Sequence, residues 1–326
     1  PSEHAIDYQT LNITPIAIEL NSDSFDDFVQ ALDPSVVLFD RFMMEEQFGW
    51  RVEKFCPNAL RLLDIEDLHS LRFARQSLAK GNQDVVKHVP DAALYSEQAK
   101  REIAAIYRCD LTLMISQYEM DLLQERFSVP SAILMYLPFM TEPANLPIIP
   151  LEKRQHFVSI GNFRHEPNWD AVLQLKQHIW PLIRKQLPKA ELHIYGAYPP
   201  KKATQLHNEK QGFLIKGWCE DAYEVLQQAK VLLAPLRFGA GLKGKLIDAA
   251  QCHLPAVTTS IGAEGLETDS NKSPFIQSDN FTEFASLAVH LYKDEIQWTQ
   301  LQKNSDGYIE NGFSNSLFEE RLTKVL

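Results

Sequence analysis

A two-domain α/β architecture, each domain a doubly wound parallel sheet, is predicted by three observations. Short apolar runs rich in β-branched residues alternate with longer helix-period runs over nearly the whole chain. One proline-rich stretch without periodicity, 137–154, interrupts the alternation, which restarts cleanly after it. The length of 326 residues is about two domains' worth. Strand–helix alternation on this scale implies parallel sheets flanked by helices, and two such blocks around one linker face each other across a cleft.

In the first block ITPIAIEL (13–20), SVVLFD (35–40), ALRLLDI (59–65), CDLTLMIS (109–116) and SAILMYL (131–137) read as strands, with helices over 68–80 and 96–108. Ser116 followed by Glu119 fits a capping box that opens the helix QYEMDLLQERF. The linker carries Pro138, Pro143, Pro147 and Pro150. Beyond it HFVSI leads through a loop into the helix WDAVLQLKQHIWPLIRKQL, and AELHIYG (190–196), FLIKGW (213–218), VLLAPL (231–236) and PAVTTS (255–260) continue the strands. The remainder, from NFTEF onwards, reads as helical.

Composition narrows the function. With 45% hydrophobic and 23% charged residues the chain has the profile of a soluble globular protein. A net charge of −11 argues against nucleic acid, whose phosphates need a basic footprint, but leaves room for a local basic pocket that takes a small anion. Cys56, Cys109, Cys219 and Cys252 lie far apart with no metal-type clustering, and read as reduced thiols. No run reaches about 18 apolar residues, so no transmembrane span is expected. The opening PSEHAIDYQT lacks a signal-peptide pattern. A cytoplasmic location follows as the expectation, with peripheral contact at the inner membrane face left open.

The most informative stretch is APLRFGAGLKGKLIDAA (234–250), in which Gly239, Gly241 and Gly244 stand at G-x-G-x-x-G spacing between a strand and a helix. Glycines let the backbone approach an anion, and a helix N-terminus adds a favourable dipole. Arg237, Lys243 and Lys245 add formal charge suited to a diphosphate. A dinucleotide fingerprint fits less well: Arg237 and Phe238 separate the strand from the first glycine, and the next strand, PAVTTS, lacks the ribose-binding acid at its end. A polar loop with lysines in solvent is the plain alternative, and a phosphate cradle is the better reading.

SIGNFRHEPNWDAV (159–172) is a second strand–loop–helix junction, where Asn168 is a good N-cap and Gly161 and Arg164 would lie at the same sheet edge as the glycine loop. LLDIEDLHSLRFAR (62–75) gathers Asp64, Glu66, Asp67, His69, Arg72 and Arg75 at a strand end; it is either a site centred on His69 or a solvated helix start. FDRFMMEEQFGW (39–50) follows another strand end and reads as the lining of an acceptor pocket or as cover for the sheet.

Taken together, FVSIGNFRHEPNWDAV, LHIYGAYPP, GFLIKGWCED and VLLAPLRFGAGLKGKLIDAAQCHLPAVTTSIGAEGL resemble the nucleotide-sugar domain of GT-B-fold glycosyltransferases, and look closest to glycosyltransferase family 4, the glycosyl transferases group 1. The match runs from about 156 to 267, with several motifs in the right order and spacing. FDRFMMEEQFGW and DIEDLHSLR are similar to the acceptor-side domain of some of these proteins.

The resemblance implies a GT-B architecture: an acceptor-side domain at 1–140, a linker at 141–155, a nucleotide-sugar domain at 156–280, and helices at 281–326 that cross back to the first domain. It implies retaining transfer of a sugar from a nucleoside-diphosphate sugar to a carbohydrate or glycolipid acceptor, with no metal and no cofactor. By motif match Arg237, Lys243 and, on the acceptor side, His69 carry the chemistry. Gly161, Asn162, Arg164, Gly239, Gly241 and Lys245 would hold the diphosphate, and Asp248 stands where the family places a glutamate on the ribose. Gly262, Ala263, Glu264 and Gly265 would face the phosphates or the sugar. Asp248 is one methylene shorter than that glutamate, and AAQCHLP replaces a small-residue run. The family's opening strand, glycine-rich turn and helix do not precede ITPIAIEL, so the first domain is expected to lack that unit. A non-catalytic binding protein of the same fold and a sugar-nucleotide epimerase stand as alternatives.

Overall fold

A computed structural model of the chain describes residues 8–80, 84–141, 146–266, 269 and 272–323. Among them ten strands form two parallel sheets. The first holds β1 (Val36–Asp40), β2 (Leu60–Asp64), β3 (Leu111–Met114) and β4 (Leu134–Tyr136) in that spatial order. Asp40 stands beside Asp64, and Asp64 beside Leu113. Among the described residues of this half the α-helices are α1 (Ser24–Leu32), α2 (Phe42–Phe55), α3 (His69–Ala79), α4 (Asp91–Leu94), α5 (Glu97–Arg108) and α6 (Gln117–Phe127). With consecutive strands adjacent, right-handed crossovers send the connecting helices to one face of the sheet.

The second sheet holds β5 (Gln155–Ile160), β6 (Leu192–Tyr195), β7 (Phe213–Gly217), β8 (Ala229–Ala234), β9 (Ala256–Thr258) and β10 (Phe275–Gln277), in the order β10-β9-β8-β5-β6-β7. The chain runs outward from β5 to β7 and returns to β8 on the other side of β5. That reversal is a topological switch point, and in open parallel sheets ligands bind outside the carboxyl ends of the strands there. Helices α7 (Glu166–Gln174), α8 (Trp180–Gln186), α9 (Lys201–Thr204), α10 (Ala222–Gln228), α11 (Gly244–Gln251), α12 (Ser260–Ala263), α13 (Phe281–Lys293), α14 (Glu295–Phe313) and α15 (Asn315–Thr323) complete the chain. Between α7 and α8, Leu175–Ile179 open into a π turn. Pro181, which has no N–H to give the regular ladder, lies just beyond it and accounts for the irregularity.

Each sheet has its own core. Leu63, Ile65, Leu71, Ile106, Met114 and Leu123 pack in the first, and Phe157, Ile194, Phe213, Leu233, Val257 and Trp298 in the second. Phe318 and Leu322 of α15 reach back to the first sheet, where they pack with Leu111, Leu113, Met135 and Leu137. The amide of Thr141 donates to the carbonyl of Phe313 at 2.8 Å. The linker expected at 141–155 falls partly on 142–145, which lie outside the described residues.

Two expectations from local pattern are corrected. ITPIAIEL is not a strand: residues 13–19 are irregular, and Ile13, Ile16, Ile18 and Leu20 are exposed. Apolar alternation makes a strand only where a neighbour accepts the ladder and buries one face, and Pro15 removes a donor besides. Conversely β10 forms over Phe275–Gln277, where no strand was expected, because β9 offers it a parallel edge.

Arg154 fastens the start of β5 to the rest of its domain. It is 1% exposed and donates to backbone carbonyls: Nε to Ile149 at 2.9 Å, Nη1 to Leu226 and Ala229 at 3.2 Å each, and Nη2 to Cys252 at 2.8 Å and His253 at 3.2 Å. Burial pulls its pKa down to about 10, which leaves it charged at neutral pH. Arg154→Met keeps most of the volume but orphans these buried acceptors. A loss of about 3 kcal/mol or more in unfolding free energy is expected in urea titrations, since each abandoned buried polar group costs about 1–3 kcal/mol. A change below about 1 kcal/mol would mean that water replaces the guanidinium.

Candidate functional site

The glycine loop leaves β8 at Ala234 and enters α11 at Gly244; the other junction leaves β5 and enters α7 at Glu166. Both lie at the switch point. Gly161 sits where they meet: a Cβ there would fall 2.6 Å from the Asn168 side chain and 2.8 Å from Lys245 Nζ. Lys245 Nζ donates to Asn168 Oδ1 at 2.7 Å, and Asn168 Nδ2 donates to the carbonyl of Asn162 at 3.1 Å. Asn168 is therefore not the N-cap of α7, which begins after His165; it braces Lys245 against the Gly161 turn. Burial first, and Lys243 second, pull the Lys245 pKa down to about 8.

The other cations of the loop are committed elsewhere. Arg237 makes a fork-to-fork pair with Asp170 of α7, at 2.9 Å from Nε and 2.5 Å from Nη2. Lys243 is buried, and its Nζ donates to the carbonyls of Ala240 at 3.1 Å and Gly241 at 2.5 Å. Burial lowers its pKa, with Glu264 opposing. Asp248, on the second turn of α11, is pushed up to about 6 by burial, with Tyr223 and Lys245 opposing. Gly262 and Ala263 are buried in α12, where the amide of Gly262 donates to Thr259 Oγ1 at 3.1 Å.

The first domain grips this loop. Arg75, 0% exposed, donates to both carboxylate oxygens of Glu264 at 2.7 Å each and to the carbonyl of Gly239 at 2.9 Å. Glu119 Oε1 accepts from the amide of Gly241 at 2.7 Å. The expected capping box is thus absent: Ser116 makes no side-chain cap, and Glu119 reaches across to the second domain. Gly241 has φ +64°, and a Cβ on it would fall 2.8 Å from the Cβ of Asp67, so the two domains meet backbone to backbone there. Gly265, at φ +76°, similarly abuts Ser116.

Facing the Gly161 turn is a cavity of about 580 Å³. His69, Asp67, Arg72 and Arg41 line it from the first domain, and Asn162, Arg164 and His165 from the second. His69 starts α3, and Glu102 fixes that helix end by accepting from the amides of His69 at 2.7 Å and Ser70 at 2.8 Å. The imidazole lies edge-on to Phe42, with Nε2 3.6 Å from Asp67 Oδ1. Burial and the neighbouring Arg72 hold its pKa down, so the ring is neutral at pH 7 and can accept a hydrogen bond from a hydroxyl. Arg164 lies over the ring of Tyr198 at 3.7 Å. Arg41 and Glu66, both lining residues, have left-handed backbones at φ +70° and +60°. Strained non-glycine residues of this kind cluster where a site fixes its geometry.

The structure thus brings His69, Asn162 and Arg164 to one cavity; Gly161 precedes Asn162 in the same turn, and Lys245 stands against that turn through Asn168. Arg237 turns to the Asp170 side, Lys243, Glu264, Gly239 and Gly241 lie in the domain seam, and Asp248 stands beside Tyr223. Arg41 and Arg72, from the two strand-end clusters read as candidate sites, also line the cavity, and His165 is a lining residue that the sequence did not single out. A strand end followed by a charged residue was the available signal for Arg41; His165 carried none beyond its place between Gly161 and Asn168. Among the described residues no cluster of three His, Cys, Asp or Glu side chains is placed to hold a metal, and no helix is long and apolar enough to cross a membrane.

Residues 154–294 match the family model for glycosyl transferases group 1. Over that segment the chain is similar to this family, and the chain as a whole has the GT-B fold. It is similar to a Staphylococcus aureus TarM variant crystallised with fondaparinux, α-GlcNAc-glycerol and UDP, at TM-score 0.71 and 15% identity over 92% of this chain and 57% of that one. The pneumococcal O-GlcNAc transferase GtfA, in complex with UDP and GlcNAc, gives TM-score 0.68 and 15% identity over 92% and 59%. Sucrose-phosphate synthase of Thermosynechococcus elongatus gives 0.69 and 15% over 93% and 75%. In sequence the chain is 23% identical over 223 residues to an uncharacterized 44.6 kDa Klebsiella pneumoniae protein in the cps region, covering 65% of this chain and 56% of that protein. The chain therefore spans little more than half the length of several of these relatives.

The Arg75–Glu264 pair is the joint most open to test. Arg75→Met alone leaves a buried carboxylate unpaired and is expected to cost about 3–5 kcal/mol in denaturant unfolding. Arg75→Met with Glu264→Met should cost clearly less than the sum of the two single changes, and strict additivity would show that the pair does not couple the domains.

Proposed function

We propose that the protein transfers a sugar from a nucleoside-diphosphate sugar to a carbohydrate or glycolipid acceptor, with retention at the transferred carbon and without a metal ion. The observation that carries this reading is the Gly161–Asn168–Lys245 arrangement at the switch point of the second sheet. A turn with no room for a side chain faces a braced lysine and continues into Asn162 and Arg164 in the wall of an interdomain cavity, which suits close approach by a diphosphate. The group 1 match and the GT-B fold support it, and the relatives bound to UDP make UDP the first nucleotide to try.

In this reading Lys245 and the amides around Gly161 neutralise the diphosphate as it becomes the leaving group. Fixed cations in a desolvated site do this without a metal. Arg164 lines the same cavity and can share the charge, whereas Arg72 would first have to give up its ion pair with Asp67. Arg237 holds α7 to the glycine loop through Asp170, and Lys243 closes the loop on its own carbonyls; both would act on the donor only after giving up these partners. Asp248 accepts from the ribose hydroxyls, with Tyr223 beside it. Neutral His69 faces the donor from the acceptor side and receives a hydrogen bond from the reacting partner's hydroxyl.

Calorimetry with UDP, GDP, ADP and NAD tests the class: one diphosphate nucleotide should bind while NAD is silent. Lys245→Ala should weaken that binding at least about tenfold, or 1.4 kcal/mol, the scale of a lost charge-assisted contact. Silence from all four nucleotides, or an unchanged affinity in Lys245→Ala, would sink the assignment.

The pH dependence carries a sign. Lys245 must be protonated, so affinity should fall as pH rises above about 8; Asp248 must be ionised, so affinity should also fall as pH drops below about 6. The terminal phosphate of a nucleoside diphosphate also titrates near pH 6. Asp248→Asn separates the two, because in that variant any remaining acid limb belongs to the ligand. Measured dissociation constants at pH 5, 7 and 9 should give a minimum at 7 in the wild type and no alkaline limb in Lys245→Ala.

A further inference from the structure

A second trough opens beside the cleft. It has a volume of about 430 Å³, lies between the C-terminal end of α3 and α7, and shares Gln76 and Glu166 with the cleft cavity, so the two are neighbours. Its formal charges cancel: Glu166 and Asp170 stand against Lys80 and Arg237, and Asp170 and Arg237 pair with each other. That balance selects neither an anion nor a cation.

What remains in the walls is amide and indole. Gln76, Gln174 and Gln177 each offer both a donor and an acceptor, next to Trp169 and Leu173. Trp169 is half-buried and fixed, with Phe163 6.4 Å away between ring centroids and Lys202 Nζ 4.5 Å from its ring. Gln174 is only 6% exposed; its amide nitrogen donates to Asp170 Oδ1 at 3.3 Å, while its amide oxygen has no donor. A buried acceptor left unmatched is costly, and although this oxygen is closed to solvent, a small turn of the amide toward the trough would let a hydroxyl there satisfy it. Apolar surface edged by amides complements a molecule with a C–H face and a rim of hydroxyls.

We infer that this trough is a saccharide subsite, which takes the rings that follow the reacting sugar of a neutral oligosaccharide acceptor. The inference rests on the transferase reading above and extends it. With the reacting hydroxyl at His69, the acceptor runs past Gln76 and Glu166 and sets its next ring against Trp169 and Gln174. The ligand is a chain of two or more uncharged sugars, and the trough gives an acidic polymer no advantage.

The test is saturation-transfer NMR on the full chain, with maltotriose, cellotriose and chitotriose as probes, each with and without UDP. At least one trisaccharide should receive saturation, and its signal should fall at least about fivefold in Trp169→Ala and in Gln174→Leu. Gln177→Ala, at an exposed rim position that leaves the core untouched, should lower it at least twofold. UDP affinity by calorimetry should stay within about twofold in Gln177→Ala. Absence of transfer to every trisaccharide, or transfer undiminished in all three variants, overturns the subsite. If wild-type protein binds none of UDP, GDP and ADP, the transferase reading fails by itself. The trisaccharide data recorded without UDP still decide the trough.

Discussion

The structure depends on the grip of the first domain on the glycine loop of the second. Glu119 holds the amide of Gly241, Arg75 holds the carbonyl of Gly239 and both oxygens of Glu264, and Asp67 packs where a side chain on Gly241 would stand. Three residues from three elements of one domain thus fix a loop that belongs to the other. The loop cannot shift without giving up its buried hydrogen bonds to Arg75 and Glu119, and Arg75 is itself held by its buried ion pair with Glu264. The width of the cleft, and so the relation of His69 to Gly161, is set by this contact.

The same contact sorts the loop's charges. Lys243 faces inward toward Glu264 and Glu119, and burial pushes the Glu119 carboxyl well above the usual carboxylate range while it lowers Lys243. Arg237 is turned to Asp170 on the opposite side. Lys245, the second residue of α11, is left against the Gly161 turn, where its amine is braced by a neutral amide rather than a carboxylate. A cation held by a neutral partner keeps its charge available to an anionic ligand; one held by an acid does not.

A second link strengthens the seam. Val86 of the first domain donates its amide to the carbonyl of Arg237 at 2.8 Å, Lys87 pairs with Asp279, and Val85 packs with Ala171, Leu236 and Ile261. Val86 also meets Phe238 and Ala79 in a small apolar cluster. Together with α15 on the first sheet, the chain crosses between its halves more than once, and the domains sit as partners in one scaffold around the cleft.

The sequence by itself determined what periodicity and local chemistry can encode. Nine of the strands, the glycine loop between β8 and α11, and the Gly161 junction were legible because each depends on residues close in the chain. Tertiary structure decided the rest. Arg75 and Glu264 lie 189 residues apart, and nothing local marks them as partners. Glu119 has the spacing of a capping box, yet a buried amide from another domain won its carboxylate. Asn168 has the chemistry of an N-cap, yet Lys245 and the Asn162 carbonyl claimed it. ITPIAIEL has the alternation of a strand and found no sheet edge. In each case the short-range pattern specified what a side chain could bond, and packing specified which partner was within reach.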